Sequence, residues 1–433
     1  MDKVDVLIDN CGILTMSEAG FIKRGVIAIK DGRIVYVGEK LKAENLKGET
    51  TLKGERKIAM PGLINCHTHV PMTLFRGLAE DKPLQEWLKN VIWPIEAKLK
   101  PEDVYFGSLL GCLEMIKGGV TCFADMYFHE DMVAKAVAES GLRGVLAEGI
   151  IENENLSLGE ETFKRSVNFA EKFNGYADGR VKAFLGPHAV YSCSKDTLKK
   201  VRDKAEQLGV GLHIHLAEAK ITVEDKSEVE FLDEIGFLSK NVLAAHCINL
   251  SNKDMHILSK YKVNVAYNPV ANMKFGLELP KIKDLISLGV NVGLGTDGPA
   301  SNNTLDMFET MKVAALGQKM LYSNAKVLPA FKVLKMATLD GAKALGLEKD
   351  IGSIEVGKKA DIILLGLSKP HLKPLHDVYA SIVYSAKACD VDTVIVDGKI
   401  LMENRHIKTL DEEAIMKKAE ETAFNLTSNN LYL

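Results

Sequence analysis

The chain has 433 residues, of which 46% are hydrophobic and 26% are charged, and its formal net charge is −3. This is the composition of a soluble globular protein, and the length suits one large barrel with a small second domain. The weak negative charge gives no electrostatic reason to expect nucleic acid or an anionic membrane as a partner. No apolar stretch is long enough to span a bilayer. The seven cysteines form no Cys-x-x-Cys pair and the N-terminus lacks a signal-peptide core, which predicts a cytoplasmic protein without disulfides.

Short β-rich runs at both ends of the chain predict a small sheet domain. The N-terminal runs cover 4–8, 25–30 and 33–37, and the C-terminal runs cover 360–365 and 393–396. Asp31-Gly32 and Asp397-Gly398 are strong signals for tight hairpin turns. We therefore predict that residues 1–58 and 360–433 together form one β-sandwich domain, which ends in a helix over about 411–424 and a polar tail.

Between these ends, short apolar runs alternate with helical patterns, which is typical of parallel βα units. The runs cover 58–65, 120–124, 144–147, 181–185, 211–214, 242–245, 263–266 and 290–294. Eight strands is the number that closes a parallel barrel. We predict an α/β fold in which residues 59–359 form a metal-dependent (β/α)₈ TIM barrel and the small β-sandwich is built from both termini.

Histidines and acids follow these runs, at the strand ends where barrel enzymes carry their chemistry. His67 and His69 lie two residues apart, a spacing that directs both imidazoles to one face of an extended chain. Later strand ends carry His188, His215, Glu218, His246 and Asp297. Three imidazole nitrogens, from His67, His69 and His215, and the Asp297 carboxylate suit zinc, or iron of similar charge, with room for a water.

Such a metal lowers the pKa of its bound water from about 16 towards about 7 and so supplies hydroxide at neutral pH. Glu218 lies three residues beyond His215, which makes it the candidate general acid and base. His246 is placed to polarise the attacking water.

Three other polar residues keep more than one interpretation. His213 shares a strand face with His215, and a core histidine inside the barrel is the favoured interpretation. Asp125 is favoured as a structural carboxylate that accepts hydrogen bonds from loop amides. For His188, contact with a substrate and packing at the barrel rim are equally compatible with the sequence.

Several motifs resemble the amidohydrolase superfamily. They are PGLINCHTH at 61–69, HLAE at 215–218, AHC at 245–247 and GTDG at 295–298. The segment WPIE at 93–96, the run at 296–303 and the stretch at 352–361 are more narrowly similar to its methylthioadenosine/S-adenosylhomocysteine deaminases. The resemblance covers nearly the full chain and implies a (β/α)₈ barrel with a composite β-sandwich.

The resemblance also implies an activity, which is the deamination of 5′-substituted adenosines to the inosine analogues and ammonia. The substrates would be 5′-deoxyadenosine, methylthioadenosine and S-adenosylhomocysteine, attacked by a metal-held hydroxide. The implied roles are metal binding by His67, His69, His215 and Asp297, protonation of the purine ring by Glu218, handling of water protons by His246 and Asp297, binding of the ribose hydroxyls by Glu96, and contact with the substrate by His188.

Two departures from the family refine this interpretation. Residues 146–155 contain no arginine, whereas relatives with larger nucleosides carry arginines there, and the acids Glu148, Glu152 and Glu154 would repel an anionic tail. We therefore predict a preference for small uncharged 5′ groups, unless Arg76 or Lys274 from another loop replaces the arginine. No lysine ends the fourth strand, which favours one metal, zinc or iron, over two.

The alternatives within the superfamily are a guanine or cytosine deaminase and a triazine-type hydrolase, and the non-enzyme alternative is a metal-binding scaffold. The expected partner is a small nucleoside, with no nucleic acid and no membrane. The sequence leaves open whether the chain forms a homo-oligomer.

Overall fold

The structure is a computed structural model that describes residues 2–39, 46–78, 80–153 and 155–427. The predicted polar tail after 427 and the acid Glu154 lie outside the described residues. Among the helices of these ranges, none is both long and apolar enough to cross a membrane.

The strands form two large sheets and one short hairpin. The first five are β1 (Asp2–Leu14), β2 (Phe21–Lys30), β3 (Arg33–Glu39), β4 (Leu46–Lys53) and β5 (Lys57–Pro61). The next ten are β6 (Leu63–Thr68), β7 (Val120–Tyr127), β8 (Arg143–Ile150), β9 (Val181–Pro187), β10 (Gly211–Leu216), β11 (Thr222–Val223), β12 (Lys226–Ser227), β13 (Val242–His246), β14 (Asn264–Tyr267) and β15 (Asn291–Leu294). The last four are β16 (Ile362–Gly366), β17 (Val391–Val396), β18 (Lys399–Glu403) and β19 (His406–Ile407).

The helices lie mainly between the strands of the second sheet. The α-helices are α1 (Leu84–Trp87), α2 (Trp93–Glu96), α3 (Pro101–Lys117), α4 (Glu130–Ser140), α5 (Leu156–Phe173), α6 (Lys195–Leu208), α7 (Glu228–Glu234), α8 (Asn252–Tyr261), α9 (Pro269–Lys274), α10 (Ile282–Ser287), α11 (Met307–Leu321), α12 (Ala330–Met336), α13 (Leu339–Ala344), α14 (Val378–Ala380) and α15 (Glu412–Leu426). Short 3₁₀ turns cover Val70–Phe75, Val190–Ser192, Pro370–Leu372 and Ala388–Asp390, and π turns cover Leu88–Ile92 and Ser381–Ser385.

The second sheet is a parallel barrel of eight strands, with neighbours in the order β6-β7-β8-β9-β10-β13-β14-β15. Every residue of β6, β7, β8 and β10 is buried, because helices cover the outside and side chains fill the inside. The predicted (β/α)₈ fold is therefore confirmed, and each of its last seven predicted strands is found within a few residues of its predicted bounds.

The barrel closes between its first and last strands through a seam of polar contacts. The amide nitrogen of Asn65 donates to Thr296 Oγ1 (2.7 Å), and the amide oxygen of Asn65 accepts from the backbone N–H of Thr296 (2.9 Å). One residue further on, the N–H of Asp297 donates to the carbonyl of His67 (2.9 Å). A Cβ at Gly295 would lie 3.0 Å from the backbone nitrogen of His67, so glycine permits this close approach. The seam thus brings two predicted site residues into contact.

The other sheet combines both ends of the chain in the order β19-β18-β17-β16-β5-β1-β2-β3, with β4 paired to β1. It folds back on itself, because the N–H of Ala360 donates to the carbonyl of Gly32 and that of Ile34 donates to the carbonyl of Lys358 (both 2.9 Å). Aliphatic side chains from β1, β2, β5 and β16 form a separate core inside it. The predicted combination of both termini in one separate sheet is confirmed.

The first predicted barrel strand, 58–65, is wrong as a single element. The chain breaks at Gly62, so that β5 pairs with β16 in the terminal sheet and β6 begins the barrel. A Cβ at Gly62 would lie 2.0 Å from Thr121 Oγ1, which explains why glycine occupies the crossing point. The division of the chain into 1–58 with 360–433 and 59–359 stays a prediction.

A buried ion pair connects the barrel to the terminal sheet. Arg143, at the start of β8, donates through Nε and Nη2 to the two carboxylate oxygens of Asp361 (3.0 Å each). The same carboxylate accepts the backbone N–H of Asp397 (2.8 Å). The arginine and Asp361 side chains are only 7% and 2% exposed, so little water competes for this bidentate contact.

We expect Arg143→Met to lower the free energy of unfolding by about 3–5 kcal/mol, because Asp361 would remain charged and buried without its partner. The double variant Arg143→Met with Asp361→Leu should recover part of that loss. The control Lys164→Met removes an exposed pair with Glu160 (3.7 Å) and should cost about 1 kcal/mol or less. Guanidinium denaturation curves measure all three variants. An unchanged midpoint for Arg143→Met would show that the pair does not hold the two parts together.

Candidate functional site

A cavity of about 730 Å³, including its open mouth, lies at the carboxyl ends of the barrel strands. Seven of the predicted site residues line it: His69, Glu96, His188, His215, Glu218, His246 and Asp297. Much of the remaining wall is aromatic or aliphatic, including Trp87, Trp93, Phe128 and Phe275. The cavity is therefore large enough for a nucleoside-sized molecule and combines an apolar wall with a few converging polar groups.

The four predicted ligands converge at the floor of this cavity. His69 Nε2 lies 3.3 Å from His215 Nε2 and 3.4 Å from Asp297 Oδ1. His67 Nε2 lies 3.5 Å from the same carboxylate oxygen, and the His67 side chain is fully buried. The structure thus brings together in space four side chains that are up to 230 positions apart in sequence.

Backbone carbonyls determine which nitrogens of two of these imidazoles face the centre. His69 Nδ1 lies 2.6 Å from the carbonyl oxygen of Met126, and His215 Nδ1 lies 2.8 Å from that of His188. Because a carbonyl only accepts hydrogen bonds, each Nδ1 carries the proton and donates it. Each Nε2 therefore presents a lone pair, as a metal ligand must.

The third imidazole has a different partner. His67 Nδ1 lies 2.8 Å from Nε2 of His213, a second histidine buried inside the barrel. Burial lowers the pKa of His67 to about 3 and that of His213 well below its ordinary value, so both rings are neutral. Among the described residues, His67 Nε2 is buried without a hydrogen-bond partner. A buried nitrogen of this kind beside a carboxylate fits a bound divalent cation.

Asp297 is the one charged member of this group. Burial by itself would raise the pKa of its carboxyl, but the adjacent imidazoles of His67, His246 and His69 hold that pKa below its usual range. Oδ1 also accepts the N–H of Gly298 (2.8 Å), and the backbone of Asp297 is left-handed (φ 65°). A strained backbone at a polar cluster is a feature of functional sites. The donor set is therefore one ionised carboxylate among neutral imidazoles.

His246 and Glu218 form a pair beside this group, with His246 Nε2 3.6 Å from Glu218 Oε1. His246 Nδ1 faces the amide oxygen of Asn272 (3.1 Å), which leaves Nε2 directed towards the cavity. Burial raises the pKa of Glu218 above its usual range. A carboxyl with a raised pKa keeps its proton closer to neutral pH, as an acid catalyst requires.

Glu96 enters the cavity from the other side, at the end of a helical segment formed by α1, a π turn and α2. Its Oε1 accepts a hydrogen bond from the hydroxyl of Tyr127 (2.7 Å), and burial raises its pKa. His188 lines the same space, with Nδ1 2.9 Å from Ser192 Oγ, and burial lowers its pKa to about 4. Both residues are therefore fixed at the cavity wall.

The sequence left Tyr127 unidentified and did not predict the contact that His213 makes with His67. Tyr127 orients Glu96 from the end of β7, and the available signal was an aromatic residue on the same strand face as Asp125. His213 contacts a predicted ligand, although it is a buried core histidine as the sequence favoured. The structural interpretation of Asp125 agrees with its contacts, since it accepts from Thr68 Oγ1 (2.5 Å) and the N–H of Val70 (2.7 Å).

The expected repulsion by acids after the third strand is wrong for the described residues. Glu148 pairs with Arg165 on α5, and Glu152 accepts from Thr197 Oγ1 (2.6 Å), so neither carboxylate faces the cavity. The residue Glu154 lies outside the described ranges.

The two cations proposed as replacements for the missing arginine are also engaged elsewhere. Arg76 pairs with Glu114, and Lys274 lies 2.6 Å from Glu80. Neither lines the cavity, and its described wall contains no lysine or arginine. An anionic group in this space would therefore find no cationic partner in the wall.

Comparisons with known proteins agree with this geometry. The 5′-deoxyadenosine deaminase of Methanosarcina acetivorans is 49% identical over 431 residues, which cover 98% of this chain and 99% of the relative. The 5-methylthioadenosine/S-adenosylhomocysteine deaminase of Caldanaerobacter subterraneus subsp. tengcongensis is 45% identical over 429 residues, with the same coverage. Both similarities extend through the barrel and the terminal sheet.

Two solved structures are similar in fold. An adenosine deaminase from Xanthomonas campestris with bound zinc superposes with a TM-score of 0.95, at 32% identity and 99% coverage of both chains. An atrazine chlorohydrolase from Arthrobacter aurescens, complexed with zinc, shares the fold with a TM-score of 0.90 at 24% identity, over 96% of this chain and 100% of the other. The sequence model of the amidohydrolase family matches residues 58–401, from the last strand before the barrel into β18. This match and the near-full-length relatives show that the chain belongs to the amidohydrolase family.

Proposed function

We propose that this chain is a metal-dependent hydrolytic deaminase, which converts 5′-substituted adenosines to the inosine analogues and ammonia. The observation that carries the proposal is the convergence of His67, His69, His215 and Asp297 beside Glu218, at the floor of a nucleoside-sized cavity. The names of the relatives, 5′-deoxyadenosine deaminase and 5-methylthioadenosine/S-adenosylhomocysteine deaminase, support the same substrate class. The seven cysteines are thiols, which agrees with the proposed cytoplasmic location.

His67, His69, His215 and Asp297 would hold one divalent metal, which we propose to be zinc, with iron as the alternative. Three nitrogens and one carboxylate oxygen are a donor set that zinc accepts, and the X. campestris neighbour is described with bound zinc. The bound metal would lower the pKa of a water molecule towards about 7 and so supply hydroxide at neutral pH.

The proton transfers are assigned to the residues around this centre. Glu218 would donate a proton to the ring nitrogen beside the attacked carbon, because its raised pKa suits an acid. His246 and Asp297 would take the protons of the attacking water. One ring nitrogen of His246 also lies within 4.8 Å of a ligand atom of His67 and of Asp297, but the contact of His246 with Glu218 favours the proton-transfer role.

The substrate would extend from this floor towards Glu96 and His188. Glu96 would accept hydrogen bonds from the ribose hydroxyls, and the hydroxyl of Tyr127 would keep its carboxylate oriented. This acceptor favours a nucleoside over the free bases that a guanine or cytosine deaminase uses. His188 would contact the substrate from the end of β9.

The substituent at the 5′ position should be small and uncharged. The cavity wall is rich in aromatic and aliphatic side chains, and no lysine or arginine of the described residues lines it. The carboxylate tail of S-adenosylhomocysteine would lose its hydration there without gaining a charge-assisted partner. The methyl thioether of methylthioadenosine and the 5′ methyl group of 5′-deoxyadenosine carry no charge and no such desolvation cost.

Ammonia release by the purified enzyme tests the proposal. We expect higher kcat/KM for 5′-deoxyadenosine and methylthioadenosine than for S-adenosylhomocysteine at one pH, and no turnover after the metal is removed by chelation. Addition of zinc to the chelated protein should restore the activity, with one metal per chain by elemental analysis. Full activity without metal would contradict the mechanism, and a tenfold preference for S-adenosylhomocysteine would contradict the argument from the cavity wall.

Glu218→Gln should keep the metal and lose activity. Removal of a general acid and base lowers kcat by about 100- to 10,000-fold, while the isosteric amide preserves the packing. Glu224→Gln is the matched control, because Glu224 lies in the following hairpin, 54% exposed, and pairs only loosely with Lys195 (3.8 Å). If the Glu218 variant with full metal content had a kcat within a few-fold of that of the wild type, the general acid would have to be another group.

Glu96→Ala should affect nucleosides selectively. Each charged hydrogen bond to a ribose hydroxyl contributes about 1.5–3 kcal/mol, so the loss of two corresponds to about 10²- to 10⁴-fold in kcat/KM. The activity with free adenine, where measurable, should change far less. Tyr127→Phe, which removes only the hydrogen bond that orients Glu96, should give a smaller loss. Equal losses for the nucleoside and the free base would assign Glu96 a different role.

A further inference from the structure

We propose that His213 is a positioning residue for the metal centre. Its Nε2 accepts a hydrogen bond from the N–H of His67 Nδ1 and so holds His67 in the tautomer whose Nε2 can bind a metal. The inference rests on the proposed metal site, but it concerns the metal affinity of the protein and not the chemistry of the substrate.

His213 lies one layer deeper in the barrel than His215. Both are on β10, two residues apart, so both side chains face the barrel interior. His213 is fully buried, its Nε2 is 2.8 Å from His67 Nδ1, and the two rings meet edge to face with centroids 4.9 Å apart. This contact occupies the side of His67 that points away from the cavity.

His67 needs such a partner more than the other two imidazoles do. The carbonyls beside Nδ1 of His69 and His215 only accept, so they permit a single tautomer. The nitrogen beside Nδ1 of His67 belongs to an imidazole, which can donate or accept. The tautomer of His67 therefore depends on that of His213.

Two arrangements of the same two protons follow. In the first, His67 Nδ1 donates to His213 Nε2, the proton of His213 is on its Nδ1, and His67 Nε2 presents a lone pair. In the second, His213 Nε2 donates to His67 Nδ1, and His67 Nε2–H points to Asp297 Oδ1, 3.5 Å away. Only the first arrangement allows His67 to bind a metal. Each ring carries one proton in both, so the exchange changes no net charge.

A role in packing alone makes a different prediction. If His213 only filled the barrel interior, an aromatic ring of similar size would replace it without loss of metal affinity. If His213 must accept a hydrogen bond, the aromatic replacement would leave the Nδ1–H of His67 buried and without a partner. That loss disfavours the metal-binding tautomer of His67.

The test compares His213→Phe with His213→Gln by zinc titration against a chromophoric chelator, without substrate. The phenyl ring cannot accept a hydrogen bond, whereas the amide oxygen of glutamine can. Loss of a hydrogen-bond partner behind a metal ligand costs about 10- to 100-fold in metal affinity, and we expect that loss for the phenylalanine variant only. The control Leu243→Ala truncates the residue in register with His213 on the next strand and should bind zinc as the wild type does.

Equal zinc affinity in the phenylalanine variant and the wild type would overturn the proposal, and so would equal weakening by phenylalanine and glutamine. Since the titration contains no substrate, it reports on His213 even if the proposed deaminase activity fails.

A measurement on the wild-type protein keeps the proposal testable if the phenylalanine variant does not fold. In the zinc-loaded protein with ¹⁵N-labelled histidine, the nitrogen shifts and couplings distinguish the two tautomers of each ring. We expect His67 and His213 both to carry their protons on Nδ1. A proton on Nε2 of His213 in the zinc-loaded protein would overturn the proposal.

Discussion

The convergence of lone pairs on one buried point is the constraint on which the rest of this structure depends. His69 Nε2 lies 3.3 Å from His215 Nε2 and 3.4 Å from an oxygen of Asp297, with no proton between the two nitrogens. Such groups repel one another and lose their hydration in the barrel, unless a cation lies between them. The fold resists this repulsion because the backbone carbonyls of Met126 and His188 hold His69 and His215 from behind.

The position of this centre on the barrel seam connects the fold to the site. Asn65 and Thr296 exchange two hydrogen bonds across 231 positions of sequence, and the next residue, Asp297, donates its N–H to the carbonyl of His67. The contacts that close the barrel are therefore also the contacts that bring His67 next to Asp297. A bound metal would join the first and last strands, so binding energy would also stabilise the closed barrel.

Burial supplies the chemistry of the remaining groups. Glu96 and Glu218 face a largely apolar cavity, and the loss of water raises the pKa of each carboxyl. Under the proposed function, the same apolar wall would disfavour a substrate with a charged tail, because such a tail must be paired or hydrated and the described wall offers neither. The edge-to-face contact of Trp87 with Phe275, with ring centroids 5.1 Å apart, joins the helical segment above the cavity to the opposite loop. One physical effect, the exclusion of water, thus raises the pKa values of both carboxyls and would underlie the proposed preference for an uncharged substrate tail.

The sequence by itself determined the barrel, its terminal sheet and the set of residues that meet at the strand ends. Apolar runs and helical patterns are local signals, and the period of two in a strand directs His67 and His69 to one side. Only the tertiary structure decided the break at Gly62, the outward pairing of Glu148 with Arg165, and the contact of His213 with His67. These features depend on which atoms face each other across strands and helices. Hydrogen bonds act over about 3 Å between groups far apart in sequence, so no local pattern encodes them.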